Sequence, residues 1–347
     1  MKPLTLLQIA DLAGGVIECD TNVADLEITG AATARHAKAG EIAIFGEVWH
    51  STKLEDCKAS ALLVSDKVET ADFPVVRVPN AHAAFTKVVE HFRPARPKSA
   101  PSISSQAVIA PSAKLGKNVT VHPLAVIGED VIIGDGCTIH SGVAIMAGCD
   151  LDEDVTVFPN AVLYENTIVG PRCIIHANAV IGAHGFGYES SEKGHVLSAQ
   201  LGNVILGADV DVGACSAVDA GTYDATLIGE GTKIDNFTQV AHNCDIGKHN
   251  ILCSQVGIAG STTTGDFVVM GGRVGVRDHV HIGAGASIGA GSGVPNSIPA
   301  GEVYLGYPAR PLADAKRIIV SEGALPQMRK QLKELIKKVE KLQNKEA

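Results

Sequence analysis

From Ile103 to Ile181 every sixth residue is Ile, Leu or Val, and no other feature restricts the fold of the chain so tightly. The beat returns at Leu206, Val212 and Val218, slips by four residues, and runs from Ile228 to Val294 with one polar break at Thr264. A period of six belongs neither to a helix nor to a single flat strand. It marks a parallel β-helix, in which short strands coil and each coil stacks on the last. Four positions after each beat the residue is small or β-branched, as at Ala125, Val131, Cys137 and Val143. One large and one small inward residue per hexad fill a narrow prism without overpacking. Three hexads close a triangular coil, so residues 18 apart lie above one another. Gly often follows the beat, as at Gly116, Gly128, Gly134 and Gly170, where the turn is expected to need a permissive backbone.

The chain has 347 residues and a net charge of −9, which argues against broad nucleic-acid binding. No apolar run approaches the roughly 18 residues of a membrane helix. The stretch from Met1 to Gly15 contains Asp11 and no small-residue cleavage site, so it reads as folded chain instead of a signal peptide. A cytoplasmic protein is expected. The eight cysteines form no C-x-x-C pair, and Cys137, Cys149, Cys173 and Cys244 fall on the small inward position. They read as reduced, buried side chains, and no metal site is predicted.

Three segments follow from the pattern. Residues 1–100 lack the beat; Ala61–Ser65 and Val75–Val78 read as strands and Ala81–Phe92 as an amphipathic helix, giving a small α/β domain that ends in a Pro-rich linker. Residues 101–310 form the β-helix. Residues 311–347 form a helical extension whose tail from 314 onward carries a net +4, against −13 for the rest. Met328, Leu332, Leu335, Val339 and Leu342 give it one apolar seam, suited to packing on itself or on copies of the chain, or to displaying a basic docking surface. Residues 183–200 interrupt the beat, and a loop thrown out of a solenoid often carries function.

A solid prism leaves no interior for a substrate, so clefts between adjacent chains are the natural sites. The richest polar stretch runs from Ile234 to Gly247 and contains His242. Eighteen residues on, Gly260 leaves a gap in which a thioester carbonyl could meet a backbone N–H. A histidine base beside such a donor is the minimum apparatus for moving an acyl group onto an amine. On spacing alone His242 is either that base or a surface or interface histidine. His122, His140 and His176 share an outward column with Phe158, fit for an interface or, less simply, a metal ladder. His184 and His195 bracket the loop.

The stretch Asp235-Asn-Phe-Thr-Gln-Val-Ala-His-Asn243 resembles the active-site segment of the UDP-3-O-acylglucosamine N-acyltransferases of lipid A biosynthesis. So do Gly185-Phe-Gly-Tyr188, Gly213-Ala-Cys215 with Asp219, Gly306-Tyr-Pro-Ala309 and the order of domains. The resemblance implies a left-handed β-helix, a homotrimer and a uridine-binding N-terminal domain. It implies His242 as general base, His279 as a second histidine, and Asp235, Asn236, Gln239 and Asn243 lining the cleft. Asp235 would orient the imidazole, and the Gly260 N–H would hold the oxyanion. The implied reaction moves a 3-hydroxyacyl chain from acyl carrier protein, where it rides on phosphopantetheine, to the 2-amine of a UDP-3-O-acylglucosamine. No other cofactor and no metal is implied, and the basic tail suits an acidic carrier protein.

The chain departs from the family at several positions. Ile44, Glu47 and His50 stand where aromatic and Asn residues read uridine, His184 where Asp is usual, and Ala220 where Arg is usual. An altered nucleotide sugar or acyl chain fits these changes. The alternatives are an acetyl-CoA-dependent hexapeptide transferase acting on another nucleotide amino sugar, and a non-catalytic trimeric scaffold.

Overall fold

The computed structural model describes residues 2–19, 23–46, 53–66, 68, 73–94, 100–306 and 312–346. The chain divides into two compact units, Met1–Ser99 and Ala100–Ala347.

In the first unit a five-stranded sheet runs Val16–Glu18, Val75–Val78, Ala61–Ser65, Glu41–Ile44, Gly30–Thr33, parallel except for the first strand. Both the Ala61–Ser65 strand and helix 81–92 lie where the sequence places them. Helix α1 (Leu6–Ala13) starts in a reciprocal cap between Thr5 and Gln8 and ends at Gly14 in the left-handed region. Helix α2 (Ala81–Phe92) is capped by Asn80. Alternation divides the strand side chains between two clusters: Ile42, Ile44, Ala61 and Leu63 pack with both helices, while Ala43, Leu62 and Val64 face the other side with Phe45. Ile44, at a position the resemblance assigns to uridine, is therefore core, only 4% exposed. Glu47 and His50 lie outside the described residues.

The second unit is the expected β-helix. Two-residue strands stack into three parallel sheets, hereafter faces, of ten, ten and nine strands. The first face runs from Thr120–Val121 to Val303–Tyr304, the second from Val108–Ile109 to Gly293–Val294, and the third from Lys114–Leu115 to His281–Ile282. Partners lie 18 apart, as in Val126↔Ala144 and Ile132↔Asp150. The beat residues and the small residues four beyond form one continuous core.

The turns correct one expectation. The left-handed residue lies three places after the beat and is often Asn or Asp, as at Asn118, Asp130, Asn160 and Asn166, types that tolerate that region. Except at Gly182, which does adopt a positive φ, the glycines directly after the beat serve close approach instead. A Cβ on Gly134 would stand 2.6 Å from the Asp152 carbonyl carbon, and one on Gly170 2.7 Å from that of Gly207.

Thr264, the break in the beat, is buried and accepts hydrogen bonds from the Gly247 N–H (2.9 Å) and Asn250 Nδ2 (2.6 Å). Asn250 Oδ1 in turn accepts from the Val268 N–H at 2.6 Å. The missing apolar residue is thus a satisfied polar layer. Cys137, Cys149, Cys173 and Cys244 are buried, each thiol pushed up to about 11 by burial, so they remain protonated and inert. Helix α3 (Leu312–Glu346) contains Pro326 and, where described, is exposed within the chain except at the half-buried Ile318. Among the described residues no helix is long and apolar enough to cross a membrane.

Candidate active site

The two irregularities in the sixfold beat fall on one edge of the prism, where the chain passes from the second face to the third. The strand pair Val180↔Ala217 spans 37 residues instead of 18, and the excess is a hairpin of Tyr188–Ser191 and Gly194–Leu197. The next pair, Ala217↔Gln239, spans 22, and the four extra residues make a short loop between Asp219 and Thr226. In the coil after that, at the same edge, the turn residue is His242. Gly185, at the root of the first insertion, lies against its side chain, and Thr222 in the second bonds to the neighbouring Asn243.

The imidazole of His242 is half-buried and flanked by two glycines. A Cβ on Gly260, one coil further, would stand 2.7 Å from Cε1 and 2.8 Å from Nε2. On the hairpin side, a Cβ on Gly185 would stand 2.6 Å from the His242 Cβ and 2.9 Å from Cγ. Gly185 is held there by its N–H, which donates to Gln200 Oε1 at 3.0 Å. Nδ1 of His242 lies 3.0 Å from Asn243 Oδ1. Neither Nε2 nor the Gly260 N–H is paired among the described residues. The Gly260 N–H occupies a turn position that tolerates Pro in other coils, as at Pro123, Pro159 and Pro171, so the fold itself makes no use of it.

Asp219 supplies the negative charge. Burial raises its carboxyl above the usual carboxylate range, while a hydrogen bond from Gln239 Nε2 (2.8 Å) and charge on His242 pull it back down. Sequence reasoning singled out Asp219 only as part of a motif; the structure sets its carboxyl within electrostatic reach of the histidine. Asp235, expected to orient the imidazole, does not do so within the chain. Its Oδ1 accepts from the Asn236 N–H (2.7 Å) and Nδ2 (3.0 Å), and its Oδ2 from the Ser254 N–H (3.0 Å). The sequence places it in the turn entering the second face, whereas His242 stands in the turn leaving it. Asn243, expected to line the substrate cleft, spends its side-chain oxygen on His242 and Thr222. His279 is exposed two coils along the same edge, its N–H on the Gly260 carbonyl at 3.1 Å. His184 is exposed, and Ala220 is buried.

A second cluster occupies the other edge of the second face. The column His122, His140, Phe158, His176 stacks ring on ring at 4.8–5.1 Å and then meets Gly213, which has no side chain. The gap opens a cavity of about 440 Å³ lined by His176, Lys233, Asp235, Asn236 and Cys253 among others. Burial and His122 lower the basicity of His140. Among the described residues no group of three or more His, Cys, Asp or Glu is placed to hold a metal ion.

The sixfold beat and its triangular prism are those of a bacterial-transferase hexapeptide protein. Residues 102–147, 148–183 and 225–260 match the model of the bacterial transferase hexapeptide. Residues 25–91 match that of UDP-3-O-(3-hydroxymyristoyl) glucosamine N-acyltransferase, LpxD. The UDP-3-O-acylglucosamine N-acyltransferase of Rhodopirellula baltica is 44% identical over 98% of this chain and 94% of its own. That of a Caulobacter species is 50% identical over 38% of each. Among solved structures, LpxA from Acinetobacter baumannii is 26% identical with a TM-score of 0.47, over 60% of this chain and 72% of its own. The chain belongs to the UDP-3-O-acylglucosamine N-acyltransferase family and is an acyltransferase.

Proposed function

We propose that the chain transfers a 3-hydroxyacyl group from acyl carrier protein to the 2-amino group of a UDP-3-O-acylglucosamine, with His242 as general base. The observation that carries this is the placement of the imidazole, anchored through Nδ1 and laid over Gly260 with Nε2 open. The amine nitrogen attacks the thioester carbonyl and a C–N bond forms. Nε2 takes the proton released from nitrogen, and the oxyanion receives the Gly260 N–H. Collapse breaks the C–S bond, and the imidazolium returns its proton to the departing thiolate, leaving an amide and a free thiol. Asp219 stabilises the imidazolium in between. The acyl-phosphopantetheine arrives on its carrier, and the chain needs no cofactor of its own. The exposed lysines Lys333, Lys337 and Lys338 of α3 offer the acidic carrier a steering surface. Reduced, buried cysteines accord with a cytoplasmic location.

The working unit in this proposal is a homotrimer. Outward residues on the second face are Val108, Val126, Ala144, Val162, Val180 and Ala217, then Gln239 and three glycines. No charge interrupts them, whereas the first face carries Asp211 and Lys233 and the third Lys114, Asp150 and Asp245. Burying the second face around a threefold axis sets the His242 edge of each chain against the Asp235 edge of the next. The two clusters then form one cleft.

Single-turnover transfer from 3-hydroxyacyl carrier protein to UDP-3-O-acylglucosamine tests the reading. Product from the wild type and a loss of about 10²-fold or more in His242→Ala are expected, the scale of a missing general base. Turnover of acetyl-CoA with the long-chain donor inert would replace this function with a different transferase, and no transfer from either would leave a scaffold.

A further inference from the structure

We infer that Thr222 is a positioning residue that fixes the proton of His242 on Nδ1, acting through Asn243. The inference rests on His242 being the base, and deepens that reading.

Asn243 Oδ1 lies 3.0 Å from the Thr222 backbone nitrogen, 3.1 Å from Thr222 Oγ1 and 3.0 Å from His242 Nδ1. A backbone N–H can only donate, so the atom facing it is the amide oxygen, and the flip of Asn243 is settled by Thr222. An amide oxygen can only accept. The imidazole nitrogen against it must therefore carry the proton, which leaves Nε2 with its lone pair towards Gly260. In the other tautomer Nε2 carries the proton and cannot take one from an amine, and a lone pair on Nδ1 would face the Asn243 oxygen. The tautomer is thus decided two residues away from the reacting atoms.

Thr222 is itself fixed from both sides. Its carbonyl accepts the Leu201 N–H at 2.8 Å, at the foot of the hairpin, and the Gly221 N–H before it donates to the Asn203 carbonyl at 3.3 Å. The Asn243 backbone N–H is tied to the buried Thr226 Oγ1 at 2.8 Å. The two insertions that break the sixfold beat therefore meet at Thr222, and their junction bears on the base. This gives the four-residue slip a purpose, since the extra residues carry Thr222 to the Asn243 side chain.

The test compares wild type with Thr222→Pro, which removes both the backbone N–H and the hydroxyl, and with Thr222→Val, which removes the hydroxyl alone. Magic-angle-spinning 15N NMR of histidine-labelled protein, with His242→Gln as the difference reference, reads the His242 tautomer without any turnover. The wild type is expected to hold the Nδ1–H form, and Thr222→Val should keep it, because the N–H that orients Asn243 remains. Thr222→Pro should populate the Nε2–H form and lower kcat about tenfold, the scale of one lost hydrogen bond, with KM for the UDP-sugar within about twofold. Should Thr222→Pro fail to fold, an amide-to-ester replacement at Thr222, which takes away only the N–H, reads the same loss. A wild type in the Nε2–H form, or a Thr222→Pro enzyme with unchanged tautomer, would overturn the role of Thr222. Loss of the base assignment itself shows separately, as full activity in His242→Ala.

Discussion

Asp219 and Gly260 make opposite demands on the same histidine, one of charge and one of space. Burial holds the Asp219 carboxyl above the ordinary carboxylate range against the pull of Gln239 and His242. A folded-state pKa above the unfolded value favours the protonated fold. That contribution to stability is complete below the unfolded pKa and is lost as pH rises through the folded one. Asp219→Asn removes the ionisation, so the variant should unfold at a higher temperature than wild type at pH 7, the gap closing as pH falls below the carboxylate range. Its turnover should drop, because the imidazolium loses its counter-charge. Thermal melts across pH check the first half; a wild type more stable than the variant at pH 7 would show that Asp219 is not strained by burial. Gly260→Ala tests space. The backbone there is not in the left-handed region, so Ala fits the turn, but its Cβ falls within 3 Å of the imidazole. The ring is the mobile partner and should move. Near-native stability with at least about a 10²-fold loss in kcat is the expected result, comparable to removing an oxyanion donor; an active Gly260→Ala would mean the ring need not lie where it does.

The coil repeats what the beat dictates, and the departures from it are the informative elements. Thr264 looks like a defect in the repeat, and Thr264→Val would mend the pattern while stranding Asn250 Nδ2 and the Gly247 N–H. An unsatisfied buried donor costs about 1–3 kcal/mol, so the mended chain should be less stable by roughly that amount or more in denaturant titration. An equal or higher midpoint would show that the polar layer is replaceable. The contrast explains what could be read in advance. A period of six repeated over so many hexads fixes strand positions, inward residues and the stacking of His242 over Gly260, because each follows from arithmetic on one coil. The partner of Nδ1 does not follow. Asn243 reaches Thr222 only because two insertions of different length fold to the same edge, and a period carries no information about residues that violate it. The glycines after the beat were legible as special, but the reason, contact with the next coil instead of a positive φ, depends on the separation of stacked backbones. The separation of Asp235 from His242 within one chain has a related cause: seven residues along the chain look adjacent, yet on a triangular prism they stand one edge apart.

That edge-to-edge separation is also what the trimer would use. Within one chain the Asp235–Asn236 cluster and His242 lie at opposite margins of the second face, with Gln239 between them. A threefold axis against that face brings the margins of different chains together, one His242 margin to each Asp235 margin. The two halves of the cleft then come from different copies, and two inactive variants can complement each other. His242→Ala and Asp235→Ala, each purified alone, should both be strongly impaired. When they are unfolded and refolded together at equal concentration, a cleft formed by His242 from the Asp235→Ala chain and Asp235 from the His242→Ala chain is intact. Random assembly places the two in that order in about one quarter of clefts, so activity should recover to about a quarter of wild type. A cleft built within one chain predicts no recovery at any mixing ratio, since every chain then carries one of the two lesions. Full activity of Asp235→Ala on its own would remove Asp235 from the chemistry and leave Asp219 as the acidic partner of the base.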